Sequence, residues 1–252
     1  KFIRMPSTVL AQNDAGIGVK NGINALSNKN LIGAFAPPTA VINDFSLLAS
    51  LSNRDKRAGL AEAIKVACIR DGKFFDWLEQ NSAALAAFEP EATQYAIARC
   101  AQLHIDQISQ GGDPFESGSA RPLDYGHWSA HKLEILAQYQ VRHGEAVAVG
   151  MALDARYAVT KGLLSEQCAN RLLNLLDNLG FDLWHPALTN KNGAGESALL
   201  TGLEDFRQHL GGKLCITLLT NIGSAQEVDV IDLAHMNDAL CWLERRYQQK
   251  VA

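Results

Sequence analysis

The apolar positions change rhythm near residue 53. Before it they are broken up by glycine, proline and asparagine, in "DAGIGVKNGIN" and "NKNLIGAFAPP", with a short β-rich run, "TAVIND", at Thr39–Asp44. That punctuation predicts loops and strands rather than helix. From Arg54 the spacing is helical, and Leu60, Ile64 and Ala67 form one stripe in "RDKRAGLAEAIKVACIRD". "PEATQYAIARCAQLHIDQIS" predicts a second helix, with Pro90 and Glu91 in its first turn. A glycine-rich break, "QGGDPFESGSARP", precedes three more helical runs: "GHWSAHKLEILAQY", "GEAVAVGMALDARYAVTKG" and "SEQCANRLLNLLDNLG". Each ends at Gly or just after Tyr. "GKLCITLLTNIG" predicts a strand or hairpin arm, and "DLAHMNDALCWLERRYQQ" an amphipathic closing helix. The pattern therefore describes a mainly α chain. A short mixed α/β segment, residues 1–52, precedes a helical domain, residues 53–252, with the boundary at "SNRD".

Composition adds limits. A chain of 252 residues, 47% hydrophobic, has ample material for a core. The net charge of -4 comes with no basic block, which weighs against nucleic acid or an anionic membrane surface as partner. No apolar run approaches the ~20 residues of a membrane span. Cys68, Cys100, Cys168, Cys215 and Cys241 are scattered and form no C-x-x-C pair, so they read as reduced thiols of a cytoplasmic protein. The opening "KFIRMPSTVL" has neither an initiator Met nor a signal-type segment, and reads as starting in mid-domain.

Candidate chemistry concentrates in "LDYGHWSAHKLE", Leu123–Glu134, and "RHGEAVAVGM", Arg142–Met151. If a helix opens at Gly126, His127 and His131 share one face. His143 opens the next helix, and an antiparallel return brings it alongside. Imidazole is the commonest metal ligand near neutral pH, and catalytic zinc usually takes three protein ligands. Partly buried, hydrogen-bonded helix-end histidines would look the same at this level. Glu134, Glu145 and Glu62 are the candidate carboxylates. Glu62 and Lys65 stand three apart in "GLAEAIK", a spacing typical of surface ion pairs, but their neighbours are apolar. Lys20 and Lys29 sit in glycine-rich stretches that favour close approach of backbone N–H groups to an anion, although "GIGVKNG" matches no phosphate-loop fingerprint.

Taken together, "PSTVLAQNDAGIGVKNGIN", "NKNLIGAF", "AGLAEAIK", "YGHWSAH" and "HGEAVAVGM" resemble, in order, the 3-dehydroquinate synthase family of sugar phosphate cyclases. A fainter likeness lies in "GGKLCITLLTNIG". The resemblance implies a helical metal-binding domain preceded by the end of an α/β NAD-binding domain. It implies NAD and Zn2+ or Co2+ as cofactors, a small sugar phosphate as substrate, and a homodimer. Glu62, His127 and His143 would be the metal ligands, leaving His131 for the substrate. Asp14, Lys20, Lys29, Asn30 and Lys65 fall on positions that contact substrate or cofactor, and Lys213 stands where a late lysine is expected. The chain departs from the pattern at Asp124, where the family has Asn, and at Ala120, where it has Arg, with Arg121 one step away. His104 replaces a helix lysine. These changes fall on substrate-handling positions and imply a divergent member, with sedoheptulose 7-phosphate as an alternative substrate. Two other readings are a metal-dependent alcohol dehydrogenase of the glycerol dehydrogenase type and a non-catalytic helical domain.

Overall fold

The structure, a computed structural model, describes residues 2–25, 28–110, 122–209 and 211–251. The first segment contains β1 (Ile3–Arg4), β2 (Lys20–Ala25), β3 (Asn28–Phe35) and β4 (Ala40–Val41). β1 pairs with β4 in parallel, and β2 pairs with β3 as an antiparallel hairpin in which Lys20 lies opposite Phe35. Arg4 ties the two pairs together by donating to the Gly16 carbonyl at 2.8 Å and to Asn21 Oδ1 at 2.5 Å.

Two parts of this segment depart from the loop-and-strand expectation. Ala11–Ala15 forms a π-helical turn and Phe45–Ser50 a 3-10 turn. For the π-helical turn the cause is long-range. Gln12 and Asn13 are fully buried, and buried amides need partners. Gln12 Nε2 donates to Asp44 O at 2.9 Å, and Asn13 Nδ2 donates to Gly59 O at 2.7 Å. No local pattern contains those bonds.

The helical part runs α1 (Asn53–Arg70), α2 (Gly72–Gln80), α3 (Ser82–Ala86), α4 (Pro90–Gln110), α5 (His127–Leu136), α6 (His143–Thr160), α7 (Glu166–Asn178) and α8 (Thr201–His209). An antiparallel hairpin, β5 (Ile216–Asn221) and β6 (Ser224–Val228), and then α9 (Leu233–Val251) complete it. Ser52 caps α1 by accepting from Asp55 N at 3.1 Å. The turn after α5 uses left-handed Gln138 and Tyr139, and Gly162 and Gly180 end α6 and α7 in the same way.

α1 and α6 are the central pair. Every residue from Ala58 to Ile69 is buried, as is nearly all of α6 from Gly144 to Ala155. An all-round apolar helix is a core helix, so the single stripe read from α1 understates its burial. α6 packs on α1, α5, α7 and α9. Gly144 makes the α1–α6 crossing possible, because a Cβ there would lie 1.7 Å from the Ala58 carbonyl oxygen. Among the described residues no helix is long and apolar enough to cross a membrane.

Candidate active site

The crossing of α1 and α6 fixes the site. One helical turn beyond Ala58, α1 presents Glu62, and α6 begins with His143 directly opposite. α5 adds His127 from a third direction. His143 Nε2 lies 3.6 Å and His127 Nε2 3.9 Å from Glu62 Oε1. The three ligand atoms all lie within 4.8 Å of one another. Both approaches are too long for hydrogen bonds. Ligand atoms about 2 Å from a shared ion would sit roughly 3–4 Å apart, in line with the two distances to Glu62 Oε1.

The surroundings prepare these groups for a cation. Glu62 is completely buried, and its Oε1 has no hydrogen-bond partner. Such an atom is expensive unless something positive faces it. The backbone carbonyl of Tyr125 lies 3.0 Å from His127 Nδ1, so that nitrogen carries the proton and Nε2 is left as a lone-pair donor. Burial, with the charges of Lys65, His143 and His131, holds His127 well below the usual imidazole range. It is therefore neutral, the form that binds metals. His143 Nδ1 lies 3.4 Å from Glu134 Oε1, which turns its Nε2 toward Glu62. The residues present fit a divalent metal.

A second set of charges flanks the triad. Lys65 is 2% exposed and its Nζ contacts Glu62 Oε2, so the i, i+3 pair that usually belongs to a surface is here inside the core. Lys65 Nζ also reaches Asp14 Oδ2 at 3.4 Å, and His104 Nε2 lies 3.5 Å from the same oxygen. Burial alone would lower the Lys65 ammonium, but Glu62 and Asp14 raise it above its ordinary value. Burial would raise Asp14, but His104 and Lys65 hold it well below the usual carboxylate range. Burial pushes Glu62 up to about 7, opposed chiefly by Lys65.

Not every predicted residue joins this group. His131 stands next to it, its ring centroid 5.4 Å from His127 and 6.0 Å from His143. Glu145, a candidate carboxylate by sequence, is taken elsewhere: both its oxygens pair with Arg54 at 2.6 Å. Asp124, in a 3-10 turn (Pro122–Asp124), acts electrostatically on Lys65. Lys213 is exposed before β5, and its charge and that of Asp124 both bear on Cys215. Lys20, Lys29 and Asn30 lie on the β2–β3 hairpin. Arg121 lies outside the described residues. A cavity of about 560 Å³ between Arg54, Arg57, Trp184 and Tyr247 is lined by Glu145 but by none of Glu62, His127, His131 and His143. Asp154 is not singled out by sequence beyond being a lone acid in the apolar run "AVAVGMALDARYAV", yet it is fully buried and bonded to Trp128 and Gly126 at the start of α5.

The helix-rich fold that carries these groups is shared with solved sugar phosphate cyclases. The structure of 2-epi-5-epi-valiolone synthase from Streptomyces hygroscopicus subsp. jinggangensis 5008, with NAD+ and Zn2+ bound, superposes with a TM-score of 0.88 at 31% identity, covering 97% of this chain and 66% of that one. A 2-deoxy-scyllo-inosose synthase complexed with carbaglucose-6-phosphate, NAD+ and Co2+ shares the fold at a TM-score of 0.78 and 24% identity, covering 94% of this chain and 66% of that one. Profiles of the 3-dehydroquinate synthase N-terminal and C-terminal regions match residues 1–58 and 59–197. The 3-dehydroquinate synthase of Xylella fastidiosa (strain M12) is 38% identical over 245 residues, and that of Halorhodospira halophila (strain DSM 244 / SL1) 37% over 225. The chain belongs to the 3-dehydroquinate synthase family. It spans somewhat under two thirds of these relatives' length, 64% and 61%, while 95% and 89% of this chain is matched.

Proposed function

We propose that the protein is a sugar phosphate cyclase of the 3-dehydroquinate synthase type, dependent on NAD and zinc or cobalt. It would close a carbocycle from a seven-carbon sugar phosphate with loss of phosphate. The observation that carries this reading is Glu62 Oε1, buried, without a hydrogen-bond partner, and faced by Nε2 of both His127 and His143. Those three side chains would hold the metal. When bound, the metal supplies Lewis acidity and NAD supplies a hydride acceptor that is restored in each cycle.

The chain's own residues supply positioning and proton transfer. Lys65, kept cationic by Glu62 and Asp14, offers an ammonium beside the triad to orient a substrate oxygen. Asp14 stays ionised and holds that ammonium in place. His131, next to both ligand rings, takes and returns a proton. Lys20, Lys29 and Asn30 contact cofactor and phosphate from the hairpin. Arg121, Asp124 and Lys213 set the substrate's polar contacts. Residues 1–52 are the end of an α/β NAD-binding domain, and residues 53–252 the helical metal- and substrate-binding domain. The protein acts in the cytoplasm as a homodimer.

A second substrate reading rests on Asp124. An ionised carboxylate accepts hydrogen bonds but cannot donate them, so it suits a hydroxyl-bearing substrate such as sedoheptulose 7-phosphate better than a carboxylate. The likeness to 2-epi-5-epi-valiolone synthase supports the same choice. The full-length protein, given NAD, zinc and a panel of sugar phosphates, should release inorganic phosphate and a cyclised product identifiable by mass. Oxidation of a simple polyol without phosphate release would favour the dehydrogenase reading instead.

A further inference from the structure

Three hydrogen bonds fasten the start of α5 to the middle of α6. Tyr125 Oη donates to the Met151 carbonyl at 2.9 Å, Gly126 N to Asp154 Oδ2 at 3.1 Å, and Trp128 Nε1 to Asp154 Oδ1 at 2.8 Å. All the side chains involved are buried, with Asp154 and Tyr125 at 0% and Trp128 at 1% exposure. The backbones touch at the same point, because a Cβ on Gly150 would lie 2.0 Å from Gly126 O. α5 has no side-chain cap of its own, since its N-cap is Gly126 in the left-handed region. Asp154 acts across the helix–helix contact on two donors that would otherwise be buried and unsatisfied.

The residue between those two donors is His127. Its Nδ1 meets the Tyr125 carbonyl inside the same fastening, so the direction of Nε2 depends on where residues 125–128 are held. α6, which carries Asp154, also carries His143. We infer that Asp154 is a positioning residue for the metal ligands, setting His127 relative to His143 by anchoring the first turn of α5 to α6. A buried carboxylate with two donors is a costly way to join two helices, and apolar packing alone would do it more cheaply. What the carboxylate adds is direction: two fixed oxygens define both the height and the rotation of the α5 start. The inference rests on the reading of Glu62, His127 and His143 as a metal site.

The test uses the full-length protein with zinc or cobalt alone. Zinc affinity is read by competition with a chromophoric chelator, and ligand geometry by the visible spectrum of the cobalt form. Asp154→Ala should weaken zinc about 10–100-fold, as loss of a ligand-orienting contact does. Asp154→Asn should weaken it less, because its amide oxygen still accepts from one donor. Trp128→Phe removes one donor while keeping the bulk, and should also weaken zinc and shift the cobalt spectrum. Leu172→Ala, in the buried face of α7, should lower thermal stability without either change. If Asp154→Ala does not fold, the Asn and Phe variants decide. The inference is overturned if both fold and show the unmodified protein's zinc affinity and cobalt spectrum. If the unmodified protein itself takes up no zinc, the metal-site reading fails, and this inference fails with it.

Discussion

The backbone of Gly144 rests on the carbonyl of Ala58 so closely that a Cβ at 144 would sit 1.7 Å from that oxygen. The contact is backbone against backbone, so no side chain can move aside. It also sets the distance between Glu62, one turn along α1, and His143, the residue before Gly144. Gly144→Ala should therefore destabilise the fold by about 1–3 kcal/mol or more, as overpacking a tight core does. It should also lower zinc occupancy in the protein that still folds. Denaturant titration and metal analysis of the same sample check both.

Zinc should bind at about one equivalent, and Glu62→Ala, His127→Ala and His143→Ala should each remove it and abolish turnover. Metal content is the decisive reading, because activity alone would not separate a ligand from another essential group. If all three variants keep the unmodified metal content, the ligand assignment is wrong.

Asp154 should give the metal-free protein a distinctive pH dependence. Burial pushes its carboxyl up to about 7, against the lowering effect of the Trp128 and Gly126 hydrogen bonds. The unfolded carboxyl titrates near its ordinary value of about 4. Between those values the folded state holds more protons than the unfolded state, so this group's contribution falls as pH rises from about 4 through about 7. Asp154→Asn removes that slope. Urea unfolding in chelator at pH 5 and pH 8 should show a larger loss in the unmodified protein than in the variant, by an amount of the order of a few kcal/mol. Equal losses would contradict the buried titration.

Asp124 should discriminate against a substrate carboxylate. Like charges within a few ångströms disfavour each other, and Asn in the same place can donate a hydrogen bond. Asp124→Asn should raise kcat/KM for a carboxylate-bearing seven-carbon substrate about tenfold relative to sedoheptulose 7-phosphate, equivalent to roughly 1.4 kcal/mol. An unmodified enzyme that already prefers the acidic substrate, with that preference unchanged in the variant, would exclude this role.

Much of this was legible in the chain. Helical spacing marked α1, α4, α5, α6, α7 and α9, and Gly162 and Gly180 marked the ends of α6 and α7, because periodicity and left-handed termini are local properties. α2, α3 and α8 were not singled out, and the π-helical turn at Ala11–Ala15 was read as loop. That turn depends on Asn13 reaching Gly59, 46 residues away, which no local window contains. His127, His131 and His143 were visible as a cluster, but their spacing alone left the choice of carboxylate open. The tertiary structure places the three carboxylates differently. Glu145 is drawn off by Arg54, Glu134 faces Nδ1 of His143, and Glu62 is buried against both Nε2 atoms. The sequence by itself determined α1, α4, α5, α6, α7 and α9 and which groups were available for chemistry. Only the crossing of α1 with α6, and the fastening of α5 to α6 through Asp154, decided which of those groups face one another, because that depends on contacts between residues far apart in the chain.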